Sequence, residues 1–465
     1  MSDLQLDAGS FRDPRGHIFH DGAKVFRTLS EKAAGDFDFV QSSGLLGSLE
    51  DVGQVVKTDE VSRADFERAG VAAHRVLEHE RIPFISYPYE WSFSLLKAAA
   101  LHHLEVQMEA FERGVTMSDA SAYNVQFVGP KPTFIDILSF RKYEEGEVWA
   151  GHRQFCNQFL NPLLLRSMTG VSHNSWYRGN LEGIETEQLN ALLPMWRKMS
   201  INMLSHVVLP TRMQRSAVTS SKQTKTAQST KLSKTAYKGI LQQLHGWIKK
   251  LEPAGASSTT WQNYAEVNTY SDEEAQAKAA FITEFCESVQ PDMLFDLGCN
   301  TGEYCEVALS AGAKRAVGFD FDQGALERAY ARAKDKNLEL LPLYLDAANP
   351  SPDQGWNMKE RPGLTTRCKA DAVMALAFEH HLAIARNIPL DQVVDWLVGM
   401  APTGVIEFVH KDDPTVQQLL ALREDIFDEY TSKAFEAAIE KRARIVKKQV
   451  VASTGRTLYW FDRRG

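Results

Sequence analysis

The stretch 294–322, LFDLGCNTGEYCEVALSAGAKRAVGFDFD, constrains the fold of this chain more than any other. A short apolar run ends in Asp296. A tight turn carrying Gly298 and Gly302 follows, then a run with helical spacing, then a second apolar run ending in Asp320. The pattern predicts strand, glycine turn, helix and strand, with an acid at each strand end. Such a unit presents backbone N–H groups and a helix start to a ligand, and its second acid can grip ribose hydroxyls.

The dinucleotide fingerprint Gly-x-Gly-x-x-Gly lets a backbone approach a pyrophosphate. Here Asn300 stands at the middle glycine position, in the run Asp296-Leu-Gly298-Cys299-Asn300-Thr-Gly302. Asn is the side chain that best tolerates a left-handed backbone, so the turn survives. Asp296 would repel a pyrophosphate but would suit a cationic sulfonium and amino group. The segment resembles motif I of class I S-adenosylmethionine (SAM)-dependent methyltransferases. The resemblance implies a Rossmann-like α/β methyltransferase domain over 259–465. It assigns Asp296, Gly298, Cys299, Asn300 and Gly302 to the methionine part of SAM. Asp320, with Phe321 beside it, goes to the ribose side, and Asp346, with Ala347 beside it, to the adenine. Tyr264 in the lead-in segment would close over the cofactor.

Further strands follow in order. ADAVMALAFEHHL reads as a buried strand and a turn, and Pro389 opens an amphipathic helix with Leu390, Val393, Val394 and Leu397 on one face. GVIEFVHKDD is another strand, and RARIVKKQVVAS with GRTLYWFDRR forms a terminal pair joined by a glycine turn. The FEHH segment just after the fourth strand is the expected seat of chemistry. Methyl transfer needs alignment, plus a base when the acceptor is a hydroxyl, and His380 or His381 suits that role.

The front of the chain carries a second constellation. In GVTMSDASAYNVQFVGPKPTFIDILSF, Asp119 is followed five positions later by Asn124, and two strands joined by Gly-Pro-Lys-Pro lead to Asp136. This layout resembles the catalytic loop of protein-kinase-like and aminoglycoside-phosphotransferase-like folds. The resemblance implies an α+β kinase-like domain over 1–210, with Asp119 taking a hydroxyl proton and Asn124 and Asp136 holding Mg²⁺ on ATP. GHIFHDGAKVFRTL reads as the first hairpin of a small lobe, and ERIPFISYPYEW as an extended, hinge-like strand. The chain departs from the family in three ways. Met117-Ser118 replaces His-Arg, Ile137-Leu138 replaces Phe-Gly, and the phosphate lysine is not identifiable among Lys24, Arg27 and Lys57. A non-catalytic module that binds an acceptor or a partner protein is the alternative reading.

Composition bounds the rest. A net charge of −8 over 465 residues argues against a nucleic-acid partner, which would want a basic face. The five cysteines, Cys156, Cys286, Cys299, Cys305 and Cys368, are scattered, as in a reduced, cytoplasmic protein. No apolar run reaches the roughly 18 residues of a membrane span. Arg212 to Lys250 holds nine Lys or Arg and no acid, and its Ser/Thr/Gln-rich part predicts a basic polar linker over 211–258. A methylated glycan or small-metabolite hydroxyl is the acceptor that such fusions suggest; the oligomeric state is left open.

Overall fold

The computed structural model describes residues 4–211, 231–255, 272–421 and 423–464. Tyr264, Ser271 and the stretch 212–230 lie outside the described residues. Two compact units emerge, one of Met1–Val128, Pro132–Ser257 and Asp353–Arg361, the other of Gly129–Lys131, Ser258–Pro352 and Pro362–Gly465.

The first unit opens with an antiparallel sheet of β1 (Gln5–Leu6), β2 (Ile18–Asp21), β3 (Lys24–Leu29), β4 (Thr58–Val61) and β5 (Arg75–His79), in the order β1-β2-β3-β5-β4. β2 and β3 are the hairpin expected from the sequence, turning at Gly22 with φ 57°. The helix Glu31–Ser42 follows β3 and buries Ala33, Ala34, Phe37 and Val40, a stripe at helical spacing. The expected hinge strand is corrected. Strand structure ends at His79, and a 3-10 turn covers Pro88–Glu90, because Pro83 and Pro88 have no N–H to give a sheet.

The long helix Phe93–Glu112 ends at Gly114, whose φ of 73° suits a residue without Cβ. It leads to β6 (Val115–Met117), β7 (Val125–Val128), β8 (Lys131–Phe134) and β9 (Phe140–Lys142). β7 and β8 form the expected hairpin, and β6 pairs with β9. The linker expectation is also corrected, because Lys234–Lys249 is a helix that buries Tyr237, Leu241, Leu244 and Ile248. Its Tyr237 ring stacks on Phe111 at 4.5 Å. A Lys- and Gln-rich polar face hides this apolar stripe from a reading by composition.

In the second unit β10 (Met293–Leu297), β11 (Arg315–Asp320), β12 (Leu340–Tyr344), β13 (Ala372–Ala375), β14 (Thr403–Phe408), β15 (Arg444–Val450) and β16 (Thr457–Asp462) form one sheet. The order is β12-β11-β10-β13-β14-β16-β15. The first five strands run parallel, and β16 lies antiparallel to both β14 and β15. Every residue of β10 and β14 is buried, as parallel strands covered on both faces require. β15 alternates exposed and half-buried residues and carries Lys447 and Lys448, a charged edge that discourages further pairing. Strand order reverses beside β10, and ligands of such sheets sit at the strand carboxyl ends near that reversal. This is the α/β fold of class I methyltransferases. Among the described residues no helix is long and apolar enough to cross a membrane.

Candidate active site

The turn after β10 is built from left-handed residues, with φ of 80° at Gly298, 48° at Asn300 and 74° at Gly302. A Cβ on Gly298 would come within 2.9 Å of Phe378 Cδ2, so the backbone passes hard against the FEHH segment. The Gly298 and Cys299 N–H groups donate to the Phe319 carbonyl at 2.8 and 3.0 Å. Cys299 is buried against Gly318, where a Cβ would stand 2.8 Å from the sulfur. Its side chain therefore packs, leaving its backbone to shape the turn.

Asp296 is buried. Its Oδ2 accepts a hydrogen bond from Cys305 Sγ at 3.0 Å, and its Oδ1 has no hydrogen-bond partner among the described residues. Burial pushes this carboxyl up to about 7, the Cys305 bond pulls against that, and the Asp320 charge adds to it. An unsatisfied buried oxygen on an acid is costly, and a cationic group supplied from outside would relieve it. The residues present therefore fit the methionine end of SAM.

Asp320, at the end of β11, accepts from Asn300 N–H at 2.7 Å through Oδ2 and from Asp322 N–H at 2.8 Å through Oδ1. Burial raises its pKa, and these N–H groups oppose the rise. Phe321 is 58% exposed, large for an aromatic ring, with its ring 5.8 Å from Tyr344. Past β12, Asp346 closes a tight turn by accepting from Ala348 N–H at 3.1 Å; Asp346 and Ala347 are half-buried.

After β13, Ala377 holds a φ of 48°, an uncommon conformation for a residue with a Cβ, and starts the bend into Glu379–Ala383. Glu379 is fully buried and accepts from Val409 N–H at 2.9 Å, Tyr430 O–H at 2.6 Å and His380 Nδ1 at 3.1 Å. This last bond leaves His380 Nε2 as the acceptor nitrogen, buried and without a hydrogen-bond partner among the described residues. His381 is exposed and its ring centroid lies 4.2 Å from that of His380. The two histidines expected together are thus separated in character. Glu379 belongs to the expected FEHH segment, whereas Tyr430 and the Val409 N–H were not anticipated, and no local signal ties Tyr430 to that segment.

In the first unit, Asp119, Asn124 and Asp136 come together. Asn124 Nδ2 donates to Asp119 Oδ2 at 3.3 Å and to Asp136 Oδ2 at 3.4 Å. Burial first, and the Asp136 charge second, raise the Asp119 pKa. Arg27, on β3, is buried and donates through Nη1 to Asp136 Oδ1 at 2.6 Å and through Nη2 to Asp13. Of the three candidate cations only Arg27 reaches the cluster, since Lys24 pairs with Glu78 at 2.9 Å and Lys57 is exposed. Arg15 pins the β1–β2 connection by donating to the Leu138 carbonyl at 2.8 Å and Ser118 Oγ at 3.0 Å.

The strand order and the turn with its two acids define a protein with a class I methyltransferase fold joined to a second, α+β unit. No family model matches the chain. It is 45% identical over 457 residues to nodulation protein NoeA of Rhizobium meliloti (strain 1021), spanning 98% of this chain and 96% of the relative. The chain belongs to the NoeA family. Among solved structures, N-methyltransferase NodS from Bradyrhizobium japonicum WM9 with S-adenosyl-L-homocysteine aligns at a TM-score of 0.32 and 13% identity, over 44% of this chain and 97% of that one. The bifunctional kinase-methyltransferase WbdD aligns at 0.29 and 18% identity, over 42% of this chain and 40% of that one. The fold assignment stands on the sheet order itself.

Proposed function

We propose that this chain is a SAM-dependent methyltransferase acting on a hydroxyl of a glycan or small metabolite. The observation that carries the reading is Asp296 Oδ1, a buried carboxylate oxygen with no partner among the described residues, at the end of β10 beside a left-handed glycine turn. SAM, when bound, supplies an electrophilic methyl group. Asp296 answers the positive charge of the methionine end, and Asp320 keeps lone pairs for the ribose hydroxyls. The exposed Phe321 ring, with Asp346 and Ala347, suits the adenine.

His380 accepts the acceptor's hydroxyl proton at Nε2. Glu379 holds Nδ1–H and steadies the imidazolium that results, while Tyr430 and Val409 N–H fix Glu379 in turn. The NoeA relative is a nodulation protein, and a nodulation role is proposed for this chain too. The test is transfer of an isotope-labelled methyl group from SAM into glycan and metabolite fractions of the source cells. Label in a glycan or metabolite hydroxyl supports the reading, and label confined to protein overturns it.

For the first unit the reading is a kinase-like module that binds an acceptor or a partner protein and transfers no phosphate. Arg27 occupies Asp136 Oδ1, the oxygen that a Mg²⁺ ion would need, and a guanidinium keeps its charge at any working pH. The Asp119, Asn124 and Asp136 set therefore does not fit Mg²⁺ and ATP as it stands. Calorimetry with ATP and Mg²⁺ is expected to show no heat of binding. Micromolar binding that is lost in Asp136→Ala would restore the phosphotransferase reading.

A further inference from the structure

We propose that the first unit holds a zinc ion between His152, Cys156 and His206. His152 lies in the helix His152–Phe155, and Cys156 opens the π-helical turn Cys156–Leu160 that continues it. The two residues are four apart, so both face the same side, the spacing by which helices present paired metal ligands. His206 comes from a second π-helical turn, Leu204–Val208, in a later helix. Such wide turns are rare and occur mostly at functional sites. Two of them deliver ligands to this one point.

One ligand atom from each residue lies within 4.8 Å of the other two. His152 Nε2 and His206 Nδ1 are 3.0 Å apart, and Cys156 Sγ is 3.7 Å from His152 Nε2. Zinc bonds of about 2.0–2.1 Å to nitrogen and about 2.3 Å to sulfur, set tetrahedrally, give edges of about 3.3–3.4 Å and about 3.6 Å. The two separations from His152 Nε2 lie within a few tenths of an ångström of these edges, and the Cys156–His206 pair lies within 4.8 Å. A plain hydrogen bond between the histidines would account for the shorter distance; the convergence of a thiol with both imidazoles is what points to a metal.

Two imidazoles and a thiol select zinc over magnesium or calcium, which take oxygen ligands. Aromatic rings flank the site, and the Gln243 side chain stands beside His206. The His152 ring is 5.6 Å from that of Trp149, and the His206 ring stacks on Trp247 at 6.0 Å. Three protein ligands leave the fourth position to a water. Trp149 Nε1 is buried and has no hydrogen-bond partner among the described residues, so a donor for that water stands nearby.

The full chain, stripped by a chelator and titrated with Co²⁺ alone, tests the site. One equivalent should produce the visible bands of tetrahedral cobalt and a near-ultraviolet thiolate-to-cobalt band. Cys156→Ser should lose the thiolate band, His206→Gln should lose the intensity of the visible bands, and Cys368→Ser should keep both. No bands in the unaltered protein, or a thiolate band that survives Cys156→Ser, overturns the proposal. Should Cys156→Ser fail to fold, thermal melts decide. Zinc should raise the melting temperature of the unaltered protein by several degrees and leave His206→Gln unmoved, and an equal rise in both sinks the site.

Discussion

Asn300 N–H donates to Asp320 Oδ2 at 2.7 Å, tying the turn after the first parallel strand of the second unit to the acid that ends the next strand. The bond requires Asn300 in its left-handed conformation, at φ 48°. One residue therefore both replaces a glycine and orients the acid assigned to the ribose. Loss of either end loosens the whole rim of the site.

Under the proposed function, Asp296 should make SAM binding pH-dependent. Its folded pKa of about 7 stands above an unfolded value of about 3.9, so the folded state keeps a proton that the unfolded chain gives up. On this group's account stability is greatest below about pH 4 and falls as pH rises towards 7. A cationic ligand needs the ionised carboxylate, so SAM affinity should rise several-fold between pH 6 and pH 8. In Asp296→Asn the affinity should be weaker and flat across that range, measured by calorimetry at each pH.

His380 and His381 should part company in kinetics. General-base catalysis contributes about 10²–10⁴-fold, so His380→Gln should cut methyl transfer by at least that lower figure and leave SAM affinity within a factor of two. His381→Ala, changing an exposed ring, should keep most of the activity. Equal losses in both variants would remove the base role from His380.

Asp413 and Arg456 form a buried pair, with bonds of 2.6 Å from Nε and 2.9 Å from Nη2. Burial alone would raise the Asp413 pKa, but Arg456 and the Thr415 N–H hold it well below the usual carboxylate range. A depressed folded pKa gives stability that is present above about pH 4 and is lost as pH falls further. Arg456→Ala leaves a buried charge unpaired and should cost about 3–5 kcal/mol. Urea unfolding followed by tryptophan fluorescence reads the loss.

What could be read from sequence was local. The strand ends, the turn and the left-handed Asn300 lie within a few residues of one another. Asp119, Asn124 and Asp136 are likewise joined by one hairpin, so spacing alone brings them together. Arg27 on Asp136 spans 109 positions, and Tyr430 on Glu379 spans 51, with no pattern to link either pair. The helix Lys234–Lys249 was hidden because composition averages over its two faces, while its buried stripe of Tyr237, Leu241, Leu244 and Ile248 depends on phase. His152 and Cys156 share a helix face, but His206 arrives from another helix 50 positions beyond Cys156, so the cluster shows only in the fold.

The most direct test of the central claim is a calorimetric titration of the full-length protein with SAM, repeated on Asp320→Ala. The unaltered protein should bind one equivalent at micromolar affinity, about −8 kcal/mol. The variant, losing hydrogen bonds to a charged group worth about 1.5–3 kcal/mol, should bind at least about tenfold more weakly. No binding to the unaltered protein, or equal affinity in both, would contradict the placement of the cofactor at these strand ends.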